Sequence, residues 1–313
     1  MVSIFNHVFM RFKIFLLIFC CTFFYESRAC DICGCSNGNA FFGILPQSHR
    51  GFLGLRYRYS NFDSHLNSQL LKTKESFHTT ELWGRFYPLK KVQILAFVPY
   101  NFNAQTQILP NITNTIQGLG DITILGHYNV LNTFWDSTAH QVNHNLMLGL
   151  GVKAPTGKFK YDQNSVEEVA NPNFQLGTGS TDFLVNAIYT VRYDQWGLNT
   201  DVTYKINTEN SNQYRYGNKL TTALTAFYAK GFGQGNTLMP NAGVYWEYAQ
   251  NDHDKGIINK DTGGYWASAN IGCEAFFKKF SFGVTHQMPF AQELSRGELK
   301  ANARTTAHIT FMF

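Results

Sequence analysis

The sequence predicts an all-β fold, a single transmembrane antiparallel β-barrel of about 12 strands behind a cleaved N-terminal signal peptide. Three observations predict it. From Gly51 to Phe313, apolar and polar residues alternate almost continuously, in runs of mostly 11–14 residues. Strands of soluble proteins average about five or six residues, whereas a tilted strand crossing a bilayer needs roughly nine to eleven. The connections alternate in length: Pro88-Leu89-Lys90, Tyr193-Asp194-Gln195 and Lys278-Lys279 are tight, while residues 64–75, 103–117, 155–179 and 250–263 are long and polar. Short periplasmic turns against long outer loops are the asymmetry expected of an outer-membrane barrel. The final run is amphipathic, with Phe311, Ile309 and Ala307 on one face and Met312, Thr310, His308 and Thr306 on the other. A soluble sandwich also alternates, but with shorter strands and without that asymmetry of connections.

Composition agrees. Of 313 residues, 44% are hydrophobic, 16% aromatic and only 15% charged, with a mean hydropathy of -0.21. Beyond the N-terminus no apolar run reaches the roughly eighteen residues of a membrane helix, which excludes a helical membrane protein. The net charge of +5 falls to +3 when residues 1–29 are removed, and no basic cluster is present, so nucleic acid is not an expected partner.

In chain order, residues 1–29 read as the signal peptide: Arg11 and Lys13 precede an apolar core from Ile14 to Tyr25, and Ser27-Arg28-Ala29 forms a small-x-small cleavage site. Residues 30–50 form a Cys-containing segment with no periodicity, and residues 51–313 form the barrel. Its strands are expected at 51–63, 76–87, 91–102, 119–131, 144–154, 180–192, 196–208, 216–229, 237–249, 264–277, 279–290 and 300–313. Successive side chains of a strand point to opposite faces. In the first run Leu53, Leu55, Tyr57 and Tyr59 therefore face lipid, and Gly54, Arg56, Arg58 and Ser60 face the lumen. Tyr87, Tyr100, Tyr128, Tyr189, Trp196, Tyr228, Trp246, Tyr248 and Tyr265 gather towards strand ends, where an aromatic girdle is expected at headgroup level.

The same alternation assigns Glu81, Arg85, His127, Arg192, Asp201, Lys205, Lys219, Glu247, Glu274, Arg304 and His308 to the lumen. Their signs are mixed, so strong ion selectivity is not expected. With Ile122, Val152 and Phe183 facing lipid, Asp121, Lys153 and Asp182 face inward near the extracellular ends of three successive strands. Adjacent strands lie about 4.8 Å apart, so an acid–base–acid row forms at one height. Two readings are open: an ion-pair staple for the rim and the 155–179 loop, or a gating and solute-orienting ring.

These residues sit in three motifs, Gly118-Leu119-Gly120-Asp121, Lys153-Ala154-Pro155-Thr156-Gly157 and Leu176-Gly177-Thr178-Gly179-Ser180-Thr181-Asp182. Here the sequence resembles the meta-pathway phenol-degradation family, also called transporters, well over residues 118–192 and in outline elsewhere. The resemblance implies an outer-membrane, porin-like barrel that passes aromatic or other apolar compounds, and it brings no catalytic residues. The residues themselves agree: there is no nucleophile motif, phosphate loop or HExxH, and His286, on an apolar face, has no serine at its height. The chain is thus expected to be a channel rather than an enzyme, located in the bacterial outer membrane. Its expected partners are outer-membrane lipid, a small-molecule solute, and the barrel assembly machinery, which reads a terminal aromatic such as Phe313.

Cys30, Cys33 and Cys35 form a CxxCxC cluster at the mature N-terminus. Thiolates select soft ions, so one alternative is an outer-membrane metal-binding protein holding Cu(I) or Zn there, with the α-amino group or Asp31 as a fourth ligand. Against it stand a Cys33–Cys35 or Cys30–Cys33 disulfide, the usual outcome in an oxidising compartment, and acylation of Cys30. No other cofactor is expected.

Overall fold

Lipid leaves no water to satisfy a strand edge, so a sheet in a membrane must close on itself. That is what the computed structural model shows for the residues it describes, 50–313 apart from 69–70, 110, 137–139, 161–171 and 234. The wall is built from β1 (Phe52–Ser64), β2 (Thr73–Leu89), β3 (Val92–Gln107), β4 (two pieces, Ile112–Leu119 and Thr123–Asn132), β5 (Val142–Lys153) and β6 (Asp182–Tyr193). It continues through β7 (Trp196–Ile206), β8 (Lys219–Tyr228), β9 (Asn236–Ala249), β10 (Gly264–Phe277), β11 (Phe280–Leu294) and β12 (Leu299–Met312). Each strand pairs antiparallel with its sequence neighbours, and β12 pairs with β1 from Phe52 opposite Met312 to Ser64 opposite Leu299. The 12-stranded barrel is therefore closed.

Alternation sorts the two faces. Leu55, Leu150 and Val152 are 52%, 71% and 44% exposed and form an apolar outer surface, whereas Arg56 between its lipid-facing neighbours is 5% exposed. In water such a surface would drive aggregation; here it is the face that meets hydrocarbon, and it places the barrel in the outer membrane. Tyr100, Tyr128, Tyr189, Trp196, Trp246 and Tyr248 stand outside as girdle residues. Tyr87 does not. Alternation from Glu81, Trp83 and Arg85 puts it on the inward face, where its hydroxyl donates to Gln93 Oε1 at 2.9 Å and its ring lies 5.4 Å from the Arg85 guanidinium.

The two ends differ as expected, with corrections. The connection expected at 103–117 is a paired hairpin that carries β3 and β4 beyond the membrane, Gln107 lying opposite Ile112. β11 runs on to Leu294, and only Ser295–Gly297 and Glu298 turn the chain into β12. At the periplasmic end the β4–β5 connection is longer than a tight turn and contains a short 3₁₀ turn, Thr133–Trp135. Outside, a small three-stranded sheet joins Tyr214–Arg215, Asp252–Asp254 and Ile257–Asn259. The Asp252 carboxylate fastens it, accepting from Tyr214 Oη at 2.6 Å and from the Gly217 amide at 2.7 Å. The expected signal peptide and the Cys30, Cys33, Cys35 cluster lie outside the described residues.

Candidate functional site: the lumen and its two mouths

Asp121 occupies the break between the two pieces of β4. Lys153 ends β5 and Asp182 begins β6, and register puts Lys153 opposite both Thr123 and Asp182. The three side chains meet. Lys153 Nζ lies 2.5 Å from Asp121 Oδ2 and 2.9 Å from Asp182 Oδ2, and it also donates to Thr178 Oγ1 and, at 3.2 Å, to the Ser180 carbonyl. Lys205, one strand further on, reaches the same Asp182 oxygen at 3.3 Å. Alternation alone marks Lys205 as one more lining residue; the alignment of β6 with β7 is what lets two lysines share one carboxylate.

Asp121 does more than pair with Lys153. It accepts from the Thr178 amide at 2.8 Å and from the Gly157 amide at 3.0 Å, so both ends of the 155–179 loop are tied to one carboxylate. A β-carbon on Gly177 would collide with Asp121 Oδ1, so only glycine lets the loop backbone approach so closely. Gly179 has φ +71°, the left-handed region that a side chain disfavours. Thr156 donates to the Gly120 carbonyl at 2.6 Å and accepts from the Ile122 amide at 2.9 Å, which satisfies the backbone where β4 is interrupted. The three motifs noted in the sequence thus converge on a single knot. Its components are nearly all buried, with Lys153 1% and Asp182 0% exposed.

The knot aims the loop into the barrel. Asn173 and Phe174 are buried, the Tyr216 hydroxyl donates to the Pro172 carbonyl, and the Phe174 ring stands 6.3 Å from Phe77. Phe174 belongs to an apolar cluster with Phe62, Phe77, Tyr245, Trp266 and Leu299, contributed by β1, β2, β9, β10 and β12.

Beneath this band the lumen is charged. Arg56 pairs with Glu81 and His308 with Glu274 at 3.1 Å, whereas Lys219 pairs with Glu247 at 2.9 Å at the level of the band itself, Glu247 standing between Tyr245 and Ala249 on β9. His127 bonds Asn186 Oδ1 at 2.7 Å as a lining residue. Nearer the periplasm a second apolar cluster gathers Phe52, Trp83, Leu95, Phe97, Leu125 and Leu184. The Arg56 guanidinium lies between the bands, 5.0 Å above Trp83 and 5.3 Å from Phe97, at distances where a cation gains from an aromatic face. Along β1 and β2 the lining is therefore layered: apolar at Phe62 and Phe77, charged at Arg56 and Glu81, apolar again at Phe52 and Trp83.

Comparison with known proteins then places the chain. A family model matches residues 57–302, nearly the whole barrel. The chain belongs to the MetA-pathway of phenol degradation family. Among solved structures, this phenol-degradation family barrel is similar to an outer membrane channel from Pseudomonas putida F1, at 15% identity over 87% of this chain and 100% of that one, with a TM-score of 0.62. It is also similar to the β domain of the Bordetella autotransporter BrkA (10% identity, 84% of this chain, 100% of that chain, TM-score 0.51) and to the transport unit of the autotransporter AIDA-I from Escherichia coli (11%, 88% and 95%, TM-score 0.50). At such identities the likeness is one of barrel fold. No curated protein matches the sequence.

Proposed function

We propose that this barrel is a conduit, not a catalyst, for small apolar or aromatic solutes crossing the outer membrane, and that the Phe174 segment constricts its outer mouth. The layered lumen supports this reading. Barrel interiors are ordinarily polar, and lining one with Phe, Trp and Leu offers a route to molecules that shed water readily. The paired charges between the bands add no uncompensated charge for an apolar solute to meet. The family description and the outer membrane channel of similar fold agree with it.

The lipopolysaccharide leaflet delays apolar compounds, so the test belongs in intact cells. Entry of the dye N-phenyl-1-naphthylamine should be faster in cells carrying the barrel than in cells without it, at matched surface levels. Phe174→Ala should raise it several-fold further by removing the ring that meets Phe77. Dye entry equal to that of barrel-free cells would refute the conduit.

A further inference from the structure

The periplasmic mouth is built differently from the outer one. A cavity of about 320 Å³ opens there, near the lower end of the roughly 300–1,000 Å³ typical of small-molecule sites. Its floor is apolar, made by Phe227, Met239, Phe276 and Met312 from the ends of β8, β9, β10 and β12. Its rim is cationic: Arg50, Arg192 and Lys278 line it.

Their partners are backbone carbonyls. Arg50 Nη1 donates to the Lys278 carbonyl at 3.0 Å, and Arg192 Nε to the Asp194 carbonyl at 2.6 Å. Arg85, from within the lumen, holds the Arg50 carbonyl by bonds of 3.1 and 2.9 Å, so the position of Arg50 is fixed by the wall. Among the described residues none of the three rim cations has a carboxylate within ion-pair distance. The neighbouring turns add Lys90, Lys91 and Lys279 against Asp136 and Asp194. Like charges gathered around one cavity repel each other, and an entering anion relieves that repulsion while the low-dielectric floor strengthens the attraction.

We infer that this mouth is a binding site for a small amphipathic anion, an aromatic carboxylate whose ring rests on Phe227, Met239, Phe276 and Met312 and whose carboxylate meets Arg192, Lys278 and Arg50. The site deepens the conduit reading, on which it rests for its traffic: a solute that has passed the mutually paired charges of the lumen meets cations without a carboxylate partner only as it leaves. An acidic aromatic is retained at the exit, and a neutral one passes on.

The test uses the full barrel in lipid nanodiscs, with binding of 4-fluorobenzoate followed by ¹⁹F NMR beside its neutral analogue 4-fluorobenzyl alcohol. The benzoate should bind more tightly than the alcohol, and its affinity should fall as salt is added. Arg192→Gln with Lys278→Gln should weaken it by about tenfold per charge removed, ~1.4 kcal/mol each, and leave the alcohol unchanged. Equal affinities for benzoate and alcohol, or a double variant that binds benzoate as the native barrel does, would overturn the site. Dye entry and benzoate binding, both measured on the native barrel, separate the two readings: no dye entry above that of barrel-free cells defeats the conduit alone, and no preference for benzoate over the alcohol defeats the site alone.

Discussion

The two mouths of this barrel treat charge in opposite ways. At the outer mouth Asp121, Lys153, Asp182 and Lys205 are buried, and each faces an opposite charge. At the periplasmic mouth Arg50, Arg192 and Lys278 are exposed or half-buried, and their recorded bonds go to backbone carbonyls. Buried charges that compensate one another hold structure: they fix where a loop leaves the wall and where Phe174 points. Exposed charges without a carboxylate contribute little to stability and much to the potential that a solute meets.

The sharpest way to break this contrast is to remove the cation on which the outer knot turns. Lys153→Ala leaves Asp121 and Asp182 buried with their shared partner gone. Breaking a buried ion pair from one side costs about 3–5 kcal/mol. Urea unfolding of the variant in micelles should show a loss of that order, together with faster dye entry as the 155–179 loop comes loose. A loss no larger than that of an exposed lysine would mean the knot is only a wall contact.

Lys205→Ala sharpens the comparison from inside the network. Asp182 keeps Lys153, and repulsion between Lys205 and Lys219, which stand opposite each other on β7 and β8, is relieved. The same unfolding measurement should give about 1.5 kcal/mol, the lower end of the scale of a hydrogen bond to a charged group, because the relieved repulsion offsets part of the loss. A cost equal to that of Lys153→Ala would make Lys205 the true centre of the network.

The smallest effect is expected at the other end. Arg192→Gln with Lys278→Gln should shift stability by no more than ~0.5 kcal/mol, as surface substitutions do. A large loss would show that these cations brace the barrel, and the difference between the mouths would disappear.

Much of the wall was legible in the sequence because hydrocarbon imposes a strict period of two. Leu53, Leu55 and Tyr57 had to alternate with Gly54, Arg56 and Arg58, and the strand ends follow within a few residues. The signal fails where hydrocarbon ends. Asn103 to Gln107 continue β3 outside the membrane, where no apolar face is required, so the stretch reads as a loop. It fails too where both faces are apolar. Leu95-Ala96-Phe97-Val98 looks like one continuous run, although Leu95 and Phe97 line the lumen. The row of Asp121, Lys153 and Asp182 was visible because each flanks a lipid-facing residue at a strand end. Phe174 was not: it lies in a polar loop, and its inward turn depends on glycines meeting an aspartate more than fifty residues earlier in the chain.

The seam between β1 and β12 determines how long such a molecule lasts. Phe52 meets Met312 and Ser64 meets Leu299, so the contact that closes the barrel joins the two ends of its sequence. Contacts of such separation form slowly, because the whole intervening chain must first be confined. Parting them would leave two bare edges in hydrocarbon, each N–H and C=O costing several kcal/mol. No partial opening relieves that cost, since a half-parted seam already exposes unpaired groups to lipid. The barrier is high from both sides, and the lifetime of the closed form is set by a rate rather than by an equilibrium. Proteolysis, which acts on chains that open now and then, finds little to cut in the wall and is confined to the loops.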